Sequence, residues 1–255
     1  MLLQSVLVVG GTVLVSVLAA YVVTRLVPFT SRAKYNEVSG HFFAACGAFY
    51  AILVAFVVVA VWEDLGAARA NTYTEANALP GLYFASTAFS DKDKAAFQDI
   101  AVSYAKAVIV DEWPLLAQGK GSPKVEEVAK RMRRAIVQIE VEGSRQEALY
   151  SAMIERVNTI GSARRDRLNE AVPSIPGFFW IGLLIGGGLL IGFALFFGTE
   201  RFLPHALMVG VLAMLVSASL LFTHLMDHPF TGAAAVSPEA FRIALSQMGQ
   251  TPPLP

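Results

Sequence analysis

The chain has 255 residues, 55% of them hydrophobic and only 16% charged, and its 20 basic side chains are balanced by 20 acidic ones. A net charge of zero leaves no electrostatic footprint for nucleic acid. The single cysteine, Cys46, excludes an internal disulfide and any cysteine-rich metal motif.

Four apolar stretches cover residues 2–29, 38–62, 177–198 and 204–226. Each is near or above the roughly 20 residues that a helix needs to cross about 30 Å of hydrocarbon. The charges gather instead between residues 63 and 170. The fold class expected is an all-α membrane protein, with four transmembrane helices in two hairpins and a helical soluble insert between helices 2 and 3. The division expected is 1–63 for helices 1 and 2, 64–173 for the extramembrane insert, 174–226 for the second hairpin and 227–255 for a polar C-terminal tail.

The first stretch carries no Lys or Arg in residues 1–5, and its apolar run exceeds a signal peptide's core. It is expected to stay as a membrane helix that ends near Arg25 and Pro28. A short loop, residues 29–37, leads to a second helix starting near Gly40. With no proline before Pro80, that helix can run past Trp62, a residue suited to the interfacial belt, and into the insert.

The insert is helical by pattern. Phe97, Ala101, Tyr104 and Val108 share one helix face, with Ser90 or Asp91 as cap and Pro114 as stop. Ser122 before Pro123 opens a second helix, whose stripe is Val125, Val128, Met132, Ile136 and Ile139. Ser144 and Glu147 have capping-box spacing for a third, buried along Leu149, Met153, Val157 and Ile160. Pro173 and Pro176 return the chain to the membrane. Residues 199–203 join the last two apolar helices in a tight hairpin, and residues 238–248 are a short helical candidate in the tail.

Four crossings put both termini and the insert on one side. Arg25, Arg32, Lys34 and Arg201 lie in or beside the two short loops, so the positive-inside count favours an extracytoplasmic insert. Arg164, Arg165 and Arg167 near the third membrane helix count the other way.

On the second helix, Gly40, Ala44, Gly47, Ala48, Ala51 and Ala55 form a small-residue face, which suits close helix packing in lipid. Phe42, Phe49 and Phe56 recur every seven residues on another face, with His41 at the helix end. These four residues are the pore-lining candidates, the rings acting as a hydrophobic constriction. Gly182, Gly186, Gly188 and Gly192 on the third helix, and Gly210 on the fourth, complete the packing set with Gly40 and Gly47. Beyond Trp62, Arg69, Asn71 and Glu75 are vestibule candidates; an ordinary solvated or buried face is the plain alternative.

Ionisable groups are nearly absent from the apolar cores, which argues against a proton-coupled transporter. His224 and His228 are four apart beside Asp227, but Pro229 follows and no further ligand is evident, so no metal site is expected. No phosphate-binding loop, His-Glu-x-x-His or Gly-x-Ser-x-Gly pattern occurs; no enzyme activity and no cofactor are expected.

Three segments resemble a bacterial bestrophin-like membrane family. They are Gly47-Ala-Phe-Tyr-Ala-Ile-Leu-Val-Ala-Phe56 leading to Trp62 and Glu75-Ala76; Tyr104 with Glu112-Trp113-Pro114; and Asp227-His-Pro-Phe-Thr-Gly232 with Ser237-Pro238. The resemblance implies similarity to bestrophins, pentameric anion channels with four membrane helices and a cytosolic helical domain. That side of the membrane is opposite to the one the loop charges favour. No selectivity motif is matched residue by residue, so no pore residue is carried over.

The function expected is an oligomeric, anion-conducting channel in a bacterial plasma membrane, with lipids and further copies of the chain as partners. The alternative is a non-transporting scaffold or sensor whose residues 64–173 bind a protein. A small-molecule transporter would need a broken helix near the midplane, for which residues 186–188 are the one candidate.

Overall fold

The structure is a computed structural model that describes residues 2–232 and 234–253. Met1, Ala233, Leu254 and Pro255, which belong to the segments 1–63 and 227–255, lie outside the described residues. Among the described residues the structure is all helical, with ten α-helices and no strand. These are α1 (Leu2–Leu26), α2 (Phe29–Ala33), α3 (Asn36–Ala85), α4 (Asp91–Ala107), α5 (Trp113–Leu116), α6 (Pro123–Val137), α7 (Gly143–Asn169), α8 (Gly177–Ala194), α9 (Phe202–Met226) and α10 (Glu239–Gln247). Four of them, α1, α3, α8 and α9, are long and apolar enough to cross a membrane.

The chain forms two compact units. One comprises Met1–Glu63 with Ser174–Asp227, the other Asp64–Pro173 with His228–Pro255. Helix α3 contributes to both, because it runs without interruption for 50 residues and carries Pro80 inside it. A single proline removes one backbone hydrogen bond, and the flanking turns hold the helix together.

In the first unit the most extensive helix pair is α1 with α9. Tyr21 meets Phe202 edge-on at 5.5 Å, and Gly210 faces Val17 and Val13, so the two helices run antiparallel. The sequence led us to expect the α9 small face to seal a hairpin with α8. Gly210 serves α1 instead, and α8 meets α9 through Gly187, where an added Cβ would lie 2.7 Å from Val216. The expected loop after α1 is partly helical, since Pro28 has φ −58° and starts the one-turn α2. Helix α9 begins two residues before Pro204, because an amide in the first turn has no intrahelical acceptor to lose.

The second unit has a conventional core. Phe97, Ala101, Tyr104 and Val108 of the α4 stripe are buried, as are Val125, Met132, Ile136 and Ile139 on and after α6, and Met153, Val157 and Ile160 on α7. Ser90 caps α4 by accepting the Asp93 amide. Pro114 does not simply end that helix. Residues Val108–Glu112 widen into a π-helical turn before α5, which gives the proline ring the room it lacks behind an α-turn. At the start of α7, Gln146 rather than Glu147 reaches back, accepting the Glu142 amide at 2.7 Å. The tail expected to be polar is a packed part of this unit: Phe241, Ala244 and Leu245 of α10 are fully buried in its core.

Candidate functional site

Tyr50 organises the meeting of α3 with α8. Its hydroxyl donates to the Leu183 carbonyl at 3.0 Å. Its ring lies where a Cβ on Gly186 would come within 2.8 Å of it, and the same hydroxyl is 2.8 Å from a Cβ built on Gly187. Two glycines side by side therefore admit one phenol. Next to Tyr50 a groove of about 600 Å³ opens, lined by Phe42, Phe43, Cys46, Phe49 and Leu53 of α3 and by Gly182, Gly186, Leu189 and Phe193 of α8. Phe42 packs against Phe193 at 5.6 Å.

The three candidate rings of α3 keep most of their surface open: Phe42 is 58% exposed, and Phe49 and Phe56 are each 73% exposed. His41 bonds locally, its Nδ1 lying 2.8 Å from the Glu37 carbonyl. Of the expected packing glycines, Gly186 and Gly210 meet a neighbour, while Gly40, Gly47, Gly182, Gly188 and Gly192 face open space.

The vestibule candidates separate. Arg69 is exposed. Asn71 is half-buried and donates to Glu170 Oε1 at 2.6 Å. Glu75 meets the plain alternative, a buried helical face: its side chain is fully buried and paired with Arg167.

That pair is the centre of an ionic network which the sequence alone did not disclose. Arg167 Nε donates to Glu75 Oε2 at 2.7 Å, and its Nη2 is shared between Glu75 Oε1 at 3.0 Å and Glu112 Oε1 at 2.7 Å. Arg164 grips Glu112 with Nε at 3.2 Å and Nη2 at 2.7 Å, and reaches Glu126 with Nη1 at 2.5 Å. Tyr104 donates to Glu75 Oε1 at 2.7 Å, and the Ser122 amide donates to Glu112 Oε2 at 2.8 Å. Trp113 and Phe241 lie over the guanidinium at 5.5 and 5.7 Å. Fork-to-fork bonds of this kind satisfy both charges and fix the angle between the elements that carry them. Here they join α3, the π turn, α6 and α7, with α10 laid across.

Burial pushes the Glu112 carboxyl up, but the Arg164 and Arg167 guanidiniums outweigh it and hold it below the ordinary value. Burial, with the Glu75 carboxylate beside it, raises the Tyr104 phenol far above its usual value, so it stays a donor. A depressed carboxyl contributes stability that is complete above the unfolded pKa, about 4.3, and is lost as pH falls through the folded value. Acid unfolding of the insert, followed by circular dichroism, is therefore expected to begin below about pH 4. Glu112→Gln is expected to flatten that acid limb while lowering stability at pH 7. An unchanged acid limb would show that Glu112 does not control it.

A signal for the network was present in the sequence. Met153, Val157 and Ile160 extend at the same spacing to Arg164 and Arg167, and Leu65, Ala68 and Thr72 extend to Glu75. Charged residues on a buried stripe point inward together, and buried ions need partners.

Asp227 has a comparable local role. Its Oδ1 accepts the amides of Ser174 at 2.9 Å and Ile175 at 3.1 Å, and its Oδ2 accepts the Trp180 indole at 3.3 Å. His224 packs edge-on against Trp180. At the opposite end of the same unit two ionisable side chains are buried, Arg32 of the short loop at 5% exposed and His205 at 1%.

The bestrophin-like domain profile matches residues 10–241. The fold is shared with crystal structures of a bacterial bestrophin homolog from Klebsiella pneumoniae. One point variant of that homolog gives a TM-score of 0.73 at 14% identity, covering 94% of this chain and 98% of the other. A second variant gives 0.70 at 13% identity over 95% and 99%, and a further structure of the homolog gives 0.69 at 15% identity over 94% and 98%. No curated protein matches by sequence. The segments that carry the resemblance supply Glu75, Tyr104, Glu112 and Trp113, which meet around Arg167. With the profile covering nearly its whole length and four helices apolar enough for the bilayer, this membrane protein belongs to the bestrophin-like family.

Proposed function

We propose that the chain is one subunit of a homo-oligomeric membrane channel that conducts anions. Helix α3 lines the pore with Phe42, Phe49 and Phe56, and His41 stands at the helix end. Copies of the helical insert enclose a vestibule, in which Arg69 is the exposed cation. The four membrane helices form two hairpins in a bacterial plasma membrane, with both termini and the insert on the extracytoplasmic side that the loop charges favour. Those charges repel no anion, and no carboxylate stands among the three rings.

The observation that carries this reading is the phenyl ladder itself. Three rings seven residues apart stand on one face of a membrane-length helix, and two of them are about three-quarters exposed. Around an axis, such rings form a hydrophobic constriction that passes weakly hydrated anions and closes by dewetting. The membership in the bestrophin-like family supports the same kind of function.

Purified protein in liposomes is expected to pass chloride. Phe49→Ala and Phe56→Ala are each expected to raise the basal leak severalfold, because truncation widens and wets the constriction. Unchanged conductance in both variants removes the gate from these rings. No anion flux at any voltage or pH favours the rival reading, a scaffold or sensor whose insert binds a protein.

A further inference from the structure

Helix α3 crosses the membrane unit with one firm hold on its neighbours. From Asn36 to Ala60, Tyr50 is the one described residue of α3 that is buried. Among the described residues of that stretch it is also the one whose side chain hydrogen-bonds to another helix, through the 3.0 Å bond from its hydroxyl to the Leu183 carbonyl of α8. Asn36 bonds the loop after α8, at the very start of α3, and His41 bonds its own helix. Beside Tyr50, the groove of about 600 Å³ keeps α3 and α8 apart.

The hold has two parts. The phenol ring sits in a notch of two glycines: a Cβ on Gly186 would lie 2.8 Å from the ring, and one on Gly187 would lie 2.8 Å from the hydroxyl and 2.7 Å from Val216 of α9. The hydroxyl takes a backbone acceptor in a setting where no water offers another. Turning α3 about its axis lifts the ring from the notch and breaks the bond together.

Helix geometry ties this hold to the phenyl ladder. Successive residues stand about 100° apart around an α-helix. Phe43, Cys46, Tyr50 and Val54 form the packed face, gathered with Leu190 of α8 and Val216 of α9. Phe42 and Phe49 each immediately precede a member of that face. The angle at which Tyr50 is held therefore sets the direction in which the ladder points. Phe42 leans on Phe193 at 5.6 Å, a contact that the same turn changes.

We propose that Tyr50 is the rotational stop of α3, a positioning residue whose bond to Leu183 in the Gly186–Gly187 notch keeps Phe42, Phe49 and Phe56 aimed as they stand. Release of that bond is the step that lets the rings turn. The consequence for conduction rests on the reading of those rings as the pore constriction; the stop itself does not.

The test uses the full-length protein and its one thiol. Cys46 stands one turn before Tyr50 on the same face, half-buried and lining the groove. Its alkylation by N-ethylmaleimide in detergent therefore reports how often α3 turns from its seat. Tyr50→Phe keeps the ring and removes only the hydroxyl. It is expected to raise the alkylation rate about threefold, the equivalent of an average interhelical hydrogen bond in a membrane protein, about 0.6 kcal/mol, while Tm falls by no more than a few degrees. Gly186→Ala fills the notch and is expected to raise the rate further. Tyr21→Phe removes a hydroxyl from α1, whose ring meets Phe202, and is expected to leave the rate unchanged. Chloride leak in liposomes is expected to follow the same order. Equal alkylation of wild type and Tyr50→Phe overturns the stop, as does a loss of Tm in Tyr50→Phe with the rate unchanged. Faster alkylation with an unchanged leak, in a protein that conducts, overturns the positioning of the rings. Faster alkylation in a protein that passes no chloride in any variant upholds the stop and counts against the channel reading instead.

Discussion

Replacing Arg167 by methionine is expected to cost the insert about 3–5 kcal/mol of stability, the largest single loss in the molecule. The methionine fills much of the volume, so the loss reports charge rather than a cavity. Without the guanidinium, the Glu75 and Glu112 carboxylates face each other in a place where neither is exposed. Glu112 keeps Arg164 and the Ser122 amide, but Glu75 keeps only the Tyr104 hydroxyl, and a buried carboxylate without its counter-ion costs several kcal/mol. The Tyr104 phenol is then left donating to a Glu75 Oε1 that Arg167 no longer holds in place. Arg131→Met is the control. Arg131 pairs with Asp99 at the surface, with both side chains about half exposed or more, and exposed pairs contribute about 0–1 kcal/mol. Thermal unfolding of the purified protein, followed by circular dichroism, compares the two variants. Adding Glu75→Gln to Arg167→Met is expected to recover part of the loss, since it removes one of the stranded charges. If Arg167→Met destabilises no more than Arg131→Met, the network does not hold the insert together.

The second large effect is expected at Gly198. Alanine there places its Cβ 2.5 Å from the Ala33 nitrogen, 2.8 Å from the Ala33 Cα and 2.9 Å from the Arg32 carbonyl carbon. All three are backbone atoms, so no rotamer change relieves the clash and one of the two loops must move away. Overpacking alone costs about 1–3 kcal/mol. Separation of the loops also breaks the paired Asn36 bonds, worth about 1 kcal/mol each. Gly198→Ala is therefore expected to lower stability by about 2–4 kcal/mol and to reduce the yield of folded protein extracted from membranes. Gly188→Ala provides the comparison, because a Cβ there meets nothing within 4 Å in the single chain. It is expected to leave the monomer's Tm nearly unchanged. Should it dissociate the assembled particle, measured by light scattering in detergent, the α8 glycine face is a subunit contact.

Much of this architecture was legible from local pattern. The four apolar helices, the insert's three stripes and the Ser90 cap depend on residues within one or two turns of each other, where periodicity of 3.6 is informative. Long α3 was legible for the same reason, from an apolar and then amphipathic run without a proline before Pro80. Two departures came from proline chemistry. The sequence marks Pro114 as a stop, yet it stands just after a widened turn, and Pro204 stands inside a first turn that tolerates it. The membrane partners were less legible. Small residues on α8 and α9 show that a close approach occurs, but not which helix makes it. Gly210 met α1, Gly187 met Val216, and Gly186 made room for Tyr50.

By itself the sequence determined the class of the protein, its membrane-length helices and the buried stripes of the insert, because lipid and core packing both select apolar side chains at helical spacing. Tertiary structure alone decided which faces meet. Glu75 and Arg167 stand 92 positions apart, Arg32 and Phe197 165, and no periodicity connects residues at such separations. Their pairing is set by the cost of burying a charge, which is known only once the surroundings that exclude water have been assembled.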